Sequence, residues 1–520
     1  MSQPDLNSLP ASWSWATLDD LGIWGGGGTP SKARPEFWTK GKYPWVSSKD
    51  MKTFEITDTE DHITSQAIGQ SATNLYPAGT VLVVTRSGIL RHSLPVAVSC
   101  APVTINQDIK ALKPHSGICP KYVAYALRSA AQHILHQCVK DGTTVQSVEF
   151  ETLKRYQIPV APTKEQARIC DALDEILSDL DSGVDALKNA ETKLERYRAS
   201  VLKAAVEGDL TSEWRKAHTN AEPASVCLRN ILMERHRIWE EEQLRKFEES
   251  GRNPPANWRT RYKEPQGPDV TDLPQLPSGW CWASLSQLCC RISDGTHQPP
   301  EFVESGVPFI FVQHIVSGRI DFDGTRFISE ETFAELTRNR PIELGDVLYS
   351  AVGSYGVAVL VDTDRRFSFQ RHIAHLKPVP GYSSELMTLF LNSPFCLTQA
   401  HKKARGVAQK TVTLGDLANF VLPVPCGGES ASIVDKVQEA LSNADAVSDQ
   451  IHQDRTRLHA LKGAILGHAF RGELVSQDPT DEPASELLKR IAAERATKAV
   501  KSRTRRQHKP VKRRKQMQLA

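Results

Sequence analysis

The sequence predicts an α+β protein in which two globular heads are each followed by a long helix, the whole forming an internal repeat. Three observations carry this. Apolar residues in 161–212 recur at alternating spacings of four and three: Ile169, Leu173, Ile176, Leu180, Leu187, Leu194, Tyr197 and Val201, with Gly183 and Ala190 filling the remaining places. Adding 264 to these positions gives a second run, Ile433, Val437, Ala440, Ala444, Val447, Ile451, Leu458, Leu461 and Ile465, interrupted only by Asp454. Short β-rich runs separated by Gly, Pro and Ser precede both helices.

Sustained a/d spacing over several heptads marks a coiled-coil seam more than an ordinary amphipathic helix. Some forty residues at 1.5 Å each make a rod roughly 60 Å long. The register holds beyond the seam: Pro159/Pro423, Glu165/Glu429, Gly208/Gly472 and Leu210/Leu474 also differ by 264. Two equivalent rods, each following a globular stretch, point to a pseudo-twofold spacer with a head at either end.

In chain order, residues 1–162 form the first head and 163–213 the first long helix. A charged helical insert and Pro-rich linker, 214–275, leads into the second head, 276–428. The second long helix, 429–476, is followed by a basic tail, 477–520, expected to be disordered. Trp13 and Trp15 match Trp280 and Trp282 at an offset of 267, and are read as core packing. Gly79-Thr-Val-Leu82 corresponds to Gly345-Asp-Val-Leu348. Ile105-Asn-Gln-Asp-Ile-Lys corresponds to the run from Ser368 through Gln370, Arg371, His372 and Ile373. Offsets drift inside the heads and lock in the rods, which fits a fixed scaffold carrying variable recognition loops. Helical stretches follow the strands of each head, at 120–139 and at 383–403, the latter with a break at Pro394. The sheets are expected to be mixed or antiparallel. Glu222-Pro-Ala-Ser225 recurs as Glu482-Pro-Ala-Ser485, each leading into a helix.

With 520 residues, several domains are expected, and 40% hydrophobic content supports a sizeable core. No apolar run reaches the ~18–20 residues of a membrane span, and the first residues lack the apolar region of a signal peptide, so a cytoplasmic location is expected. The ten cysteines contain no CxxC pair and are read as reduced thiols, not a metal site. Ten of the basic residues, and no acid, lie within 498–520, leaving the rest of the chain net acidic. Both heads are near neutral, and 163–213 holds 12 acidic against 7 basic groups. A nucleic acid would therefore be held through local patches or with a basic partner, not by bulk charge.

No catalytic constellation stands out. Gly25–Gly28 lacks phosphate-loop spacing, and Pro30 removes an amide where such a loop needs donors, so a flexible turn is expected. Asn253-Pro-Pro-Ala256 lacks the aromatic that a base-flipping methyltransferase stacks on its target. His133 and His136 have no accompanying metal-binding motif. His372 and His375 could pack or touch DNA. No nucleophile–base arrangement follows from the spacing.

The domain openings LPASWSWATLDDLGIWGGGGTP and LPSGWCWASLSQL carry a resemblance that is reinforced by Ser47-Ser-Lys-Asp50, Arg86-Ser-Gly88 and Asn106-Gln107. Pro159-Val-Ala-Pro-Thr-Lys-Glu-Gln166 and Gly208-Asp-Leu210 extend it. Through about residue 476 the chain resembles the specificity subunit of type I restriction-modification systems. The second copy departs where Pro423-Val-Pro-Cys-Gly-Gly-Glu-Ser430 lacks the Gln of the first. It departs again where Gly353-Ser354 stands near the place of Arg86-Ser87.

The resemblance implies two target recognition domains, each docking on one half of a bipartite asymmetric DNA sequence. The rods would pair as an antiparallel coiled coil that fixes the unread spacer. Two methyltransferase subunits would bind, and restriction subunits would join them. S-adenosylmethionine, ATP and Mg²⁺ would belong to those partners, with no cofactor, metal or catalytic residue in this chain. Reading base edges needs Arg, Lys, Asn and Gln. The first head offers Lys49, Lys52, Arg86, Arg91, Asn106 and Gln107. The second offers Gln313, His314, Arg319, Gln370, Arg371, Lys402, Lys403 and Arg405. Two other readings compete: a duplicated-head scaffold that binds protein instead of DNA, and a fragment of a fused restriction-methylation enzyme. Missing methyltransferase, Walker and nuclease motifs argue against the latter.

Overall fold

The computed structural model describes residues 9–140, 145–338, 340–406 and 409–507. It divides into two compact units, Met1–Leu187 with Gln453–Ala520, and Lys188–His452. Each unit holds one head, one end of each long helix and one further helix, Ala484–Gln507 in the first and Ala224–Glu249 in the second.

In the first unit, the opening strand Ser14–Thr17 pairs antiparallel with Gln157–Val160, the strand that enters the long helix. A five-stranded sheet runs in the order Gly22–Gly26, Ile109–Pro114, Val81–Val84, Val96–Ser99, Glu55–Ile56. A four-stranded sheet runs His62–Ile63, Tyr43–Val46, Val103–Ile105, Leu75–Tyr76. The all-apolar run Val81–Val84 is buried at every residue, as a central strand covered on both faces must be. Of the mixed or antiparallel sheets expected, this one is mixed: Val103–Ile105 runs parallel to Tyr43–Val46 but antiparallel to Leu75–Tyr76.

The second unit repeats the plan with fewer strands. Cys281–Ser284 pairs with Val421–Val424. One sheet runs Cys289–Asp294, Ile373–Pro378, Val347–Ser350, Ala358–Leu360, and another Arg326–Ile328, Val307–Ile310, Ser368–Phe369. The parallel ladder is preserved residue for residue. Thr104 and Ile105 face Trp45 and Val46 in the first head. Ser368 and Phe369 face Phe309 and Ile310 in the second. All four positions are related by the same 264 that relates the rods.

The helical stretch expected over 120–139 is two helices, Pro120–Ser129 and Ala131–Cys138, interrupted at Ala130. Its counterpart is Ser384–Leu391 and Pro394–Lys403, broken where the proline lacks an amide. The long helices span Thr163–Glu207 and Glu429–Ala469. They stop short of the boundaries read from sequence because Gly208 and Gly472 take φ of +80° and +76°, the left-handed conformation that ends a helix.

Along these helices Ile169, Leu173, Val201, Ile433, Val437, Ala444 and Ile451 are buried. Most of the other expected seam positions are half-buried, but three are exposed, Tyr197, Val447 and Leu461 at 47%, 50% and 46%, and Val184 is buried beside Gly183. A straight helix drifts about 20° per heptad from a 3.5-residue repeat, so a fixed a/d stripe leaves the contact line over such a length. In the first unit Lys462 pairs with Asp181, and Leu458 reaches within 3.6 Å of where Gly183 would carry a Cβ. In the second, Arg198 pairs with Asp445 at 2.6 Å and Lys436 donates to the Leu210 carbonyl at 2.8 Å.

Each head is fastened to its helix by a buried glutamate in the helix's first turn. Trp13 Nε1 donates to Glu165 Oε1 at 3.1 Å, and Trp280 Nε1 to Glu429 Oε2 at 2.7 Å. The tryptophans therefore do more than fill the core. Glu165 also accepts from Gln477 Nε2 at 2.6 Å, and Glu429 pairs with Arg215 at 2.6 Å. Burial pushes the Glu165 carboxyl above the ordinary value despite these donors.

Two sequence expectations need correction. The presumed tail forms a helix, Ala484–Gln507, with Ala484, Leu487 and Ile491 buried in the first head's core. Ala484 N donates to Ser12 O at 2.9 Å, and Arg495 reaches Asp19 and Asp20 at 3.2 and 3.0 Å. Only 508–520 of that stretch lies outside the described residues. The presumed insert behaves likewise in the second unit. Helix Ala224–Glu249 packs on the second head through Ala224 and Ile231, and Ala224 N donates to Gly279 O at 2.8 Å. The Pro-rich stretch after it is anchored by buried Trp258, stacked on Trp239 at 5.8 Å. The repeated Pro-Ala-Ser motif thus starts a docking helix in both places.

Replacing Leu487 with Ala is expected to lower the unfolding free energy of the first unit by about 2–4 kcal/mol, read by denaturant titration. Arg495→Ala, which removes an exposed pair, should cost under about 1 kcal/mol. At the junction, Glu165→Ala leaves a buried indole N–H without an acceptor and should cost about 1–3 kcal/mol, while Glu165→Gln keeps the acceptor and should cost less. Because the folded-state pKa is raised, the native state binds the extra proton, so wild-type stability rises as pH falls from 7 towards 4.5. Thermal melts at pH 7 and pH 5 should show that gain in the wild type and not in Glu165→Gln.

Candidate nucleic-acid interface

The ends of the conserved ladder place the candidate residues. In the first head the loops leaving Tyr43–Val46, Val81–Val84 and Val103–Ile105 meet at one rim, beside the hairpin strand Gln146–Val148. They enclose a shallow cleft of ≈ 380 Å³ lined by Ser48, Arg86, Ser87, Gly88, Gln107, Asp108 and Val145. In the second head the loops leaving Val307–Ile310 and Ser368–Phe369 enclose a cleft of ≈ 360 Å³. Its lining is Phe311, Val312, Gln313, His314, Gly324, Arg326 and Gln370. Both clefts therefore open at the same end of the same parallel ladder.

The glycine run does not act as a flexible turn. Gly22–Gly26 is a strand, and a Cβ on Gly27 would sit 2.0 Å from the Ile105 carbonyl oxygen. A Cβ on Gly295 would meet the Phe369 oxygen at 2.2 Å. Backbone packs directly on backbone beneath each cleft, and only glycine permits that approach. Thr29, just past the run, donates to Gln107 Oε1 at 2.5 Å and orients the amide at the rim.

Of the first-head candidates, Arg86 and Gln107 line the cleft. Arg86 is exposed, and its backbone is held by pairing with Ser147 and by a bond from its amide to the Asp108 carbonyl at 3.2 Å. Asn106 is buried: its Oδ1 accepts from the Asp108 amide at 3.0 Å, so it shapes the turn instead of facing outward. Lys49 lies between Glu60 and Asp61 at 2.8 and 3.2 Å, and the bond to Glu60 holds its ammonium above the ordinary lysine range. Lys52 and Arg91 are exposed on flanking turns.

In the second head Gln313, His314 and Gln370 line the cleft. His314 is buried, with Nδ1 accepting from the Phe311 amide at 2.8 Å, and burial pulls its pKa below the usual histidine value. It is a neutral wall of the cleft near pH 7. Arg319, Arg371, Lys402 and Lys403 are exposed and do not line it, the two lysines lying at the end of helix Pro394–Lys403. Arg405 is 79% exposed, 3.9 Å from Asp416, on a loop bridged to Thr411. His375 lies away from the cleft, buried, with Nε2 bonded to Asp346 at 2.7 Å, so it packs.

Sequence reasoning missed Ser48, Asp108, Val145, Phe311 and Arg326. Arg326 lies over the rings of Phe302 and Phe311 at 4.9 and 6.0 Å, an arrangement with no local sequence spacing to announce it. The offset of 264 could have found part of the set, since it carries Asn106 to Gln370 and Ser47 to Phe311. Chemically, the two rims together offer guanidinium, amide, hydroxyl and carboxylate groups, the kinds that hydrogen-bond to base edges. Among the described residues no group of His, Cys, Asp and Glu could hold a metal ion, and no helix is long and apolar enough to cross a membrane.

Residues 10–196 match the family described as the type I restriction modification DNA specificity domain, a span running from the first head into the first long helix. The Escherichia coli type I restriction enzyme EcoR124I/EcoR124II specificity subunit is 43% identical over 160 residues, which cover 31% of this chain and 40% of that protein. The EcoBI specificity subunit, also from Escherichia coli, is 28% identical over 380 residues, 70% of each chain. The chain thus spans less than half of the first relative and about two thirds of the second. The fold is shared with a chain of a type I R-M system solved in a study of its assembly and conformational transition. The TM-score is 0.56 at 17% identity, covering 89% of this chain and 99% of that one. Residues 10–196 thus carry a type I restriction modification DNA specificity domain, and the relatives that the chain resembles over longer stretches are type I restriction enzyme specificity subunits.

Proposed function

We propose that this chain is the sequence-specific DNA-binding subunit of a type I restriction-modification complex. Each head reads one half of a bipartite asymmetric target through its cleft. The long helices pair as an antiparallel coiled coil that sets the unread spacer between the half-sites, relating the heads by a pseudo-twofold axis. The chain performs no catalysis. Two methyltransferase subunits supply S-adenosylmethionine-dependent adenine methylation, and restriction subunits using ATP and Mg²⁺ join them in the cytoplasm.

The observation that carries this reading is the pair of clefts at equivalent ends of a ladder conserved to the residue, with different side chains on the two rims. One backbone presenting two chemistries is what an asymmetric two-part target requires. The near-neutral heads and acidic first helix explain the need for partners, since DNA affinity grows with the number of phosphates neutralised. DNA binding by the chain alone is therefore expected to be weak and salt-sensitive, and much tighter once methyltransferase is present. Equal affinity in both cases, measured by fluorescence anisotropy, would count against this.

Adenine-methylation mapping by long-read sequencing gives the direct test. A host expressing the chain with its methyltransferase should show one split asymmetric motif that is absent without the chain. If a methyltransferase proven active with another specificity partner yields no motif here, the protein-scaffold reading takes over.

A further inference from the structure

The two clefts differ in a way that bears on which bases they read, and this rests on the DNA-binding role proposed above. In the first, the Arg86 guanidinium has no side-chain partner among the described residues, while its backbone is fixed on both sides. Asp108 lines the same cleft, with Oδ2 accepting from the amides of Asn106 and Gln107 at 3.4 and 3.3 Å. A carboxylate beside the arginine repels phosphate, so the pair is ill suited to the DNA backbone. It is well suited to a base pair: arginine donates two parallel hydrogen bonds to guanine O6 and N7, and a carboxylate accepts from the amino group of the paired cytosine.

The second cleft has no carboxylate in its lining. Its arginine, Arg326, is held over two phenylalanine rings. The polar edge is formed by the amides of Gln370 and Gln313 beside neutral, buried His314. The Gln370 side chain has no hydrogen-bond partner among the described residues, and its backbone is fixed by a bridge to Thr296 and a bond to the Ile310 carbonyl at 3.3 Å. A side-chain amide carried on a fixed backbone, with its donor and acceptor unused, can bond adenine N6 and N7.

We propose that Arg86, with Asp108, reads a G·C pair in one half-site, and that Gln370 reads an adenine in the other. Methylation mapping of the full complex with wild-type, R86A, R86K and Q370A chains tests this, with thermal melts confirming that each variant folds. R86A should relax one guanine position of one half-site about ten-fold or more and leave the other half-site intact. R86K should relax the same position, because lysine keeps the charge and loses the two-pronged geometry. Q370A should relax one adenine in the opposite half-site. A motif fully retained by R86K, or a loss uniform across all sequences in R86A, would assign Arg86 to a phosphate and overturn the proposal. Relaxation of both variants in the same half-site would overturn it too. A wild-type chain that directs no methylation would instead sink the DNA-binding reading on which the proposal stands.

Discussion

A carboxylate taken out of water at the start of each long helix is the contact around which both heads are built. Glu165 and Glu429 are almost wholly buried, in the first turn of a helix, where free backbone N–H groups and the helix dipole favour negative charge. The tryptophan that opens each head donates to this carboxylate, joined by Gln477 at Glu165 and by Arg215 at Glu429. The strand after that tryptophan pairs with the strand that enters the helix, Ser14 with Val160 and Cys281 with Val424. A buried tyrosine closes the corner, Tyr122 donating to the Pro159 carbonyl at 3.0 Å and Tyr382 to that of Pro423 at 3.2 Å. Head and helix thus share one set of hydrogen bonds, and neither can turn without leaving a polar group buried and unmet.

From that junction the sheets extend to the opposite rim, where the same logic no longer holds. The parallel ladder and the glycine beneath it tolerate no change of length, because backbone meets backbone there. The loops just beyond are free to differ, and they do: one rim carries Arg86 and Asp108 where the other carries Gln370, Gln313 and Arg326. Invariant geometry and variable chemistry lie within two or three residues of each other in the chain.

This explains which features could be read in advance. The rods were legible because alternating three- and four-residue spacing has one meaning over many turns, while Tyr197, Val447 and Leu461 escaped because the contact line drifts. Arg86 and Gln107 were legible as polar groups on turns. Asn106 and His314 have the same residue character but point inward to hold Asp108 and Phe311 amides, a choice made by turn geometry. Lys49 is neutralised by Glu60 and Asp61, which reach it only because Tyr43 pairs with Ile63 across the sheet. The Gly25–Gly28 run looked flexible because sequence gives no sign that Ile105 would press against it. Helices after the Pro-Ala-Ser motifs were legible, but their docking was hidden by their charge, since each buries only a few apolar residues near its start.

The docking helices also impose an order of events during synthesis. The second head receives Ala224 and Ile231 from a segment made before it, so its core is complete once the first turns of the helix after its last strand have added Ile433, Val434 and Val437. The first head must wait: Leu487 and Ile491 complete its core, and Arg495 meets Asp20 across 475 residues of chain. Long-range closure of this kind is slow, and an unfinished core exposes apolar surface in the meantime. The head that leaves the ribosome first is therefore the last to mature, and a prematurely terminated chain carries one finished head and one open one.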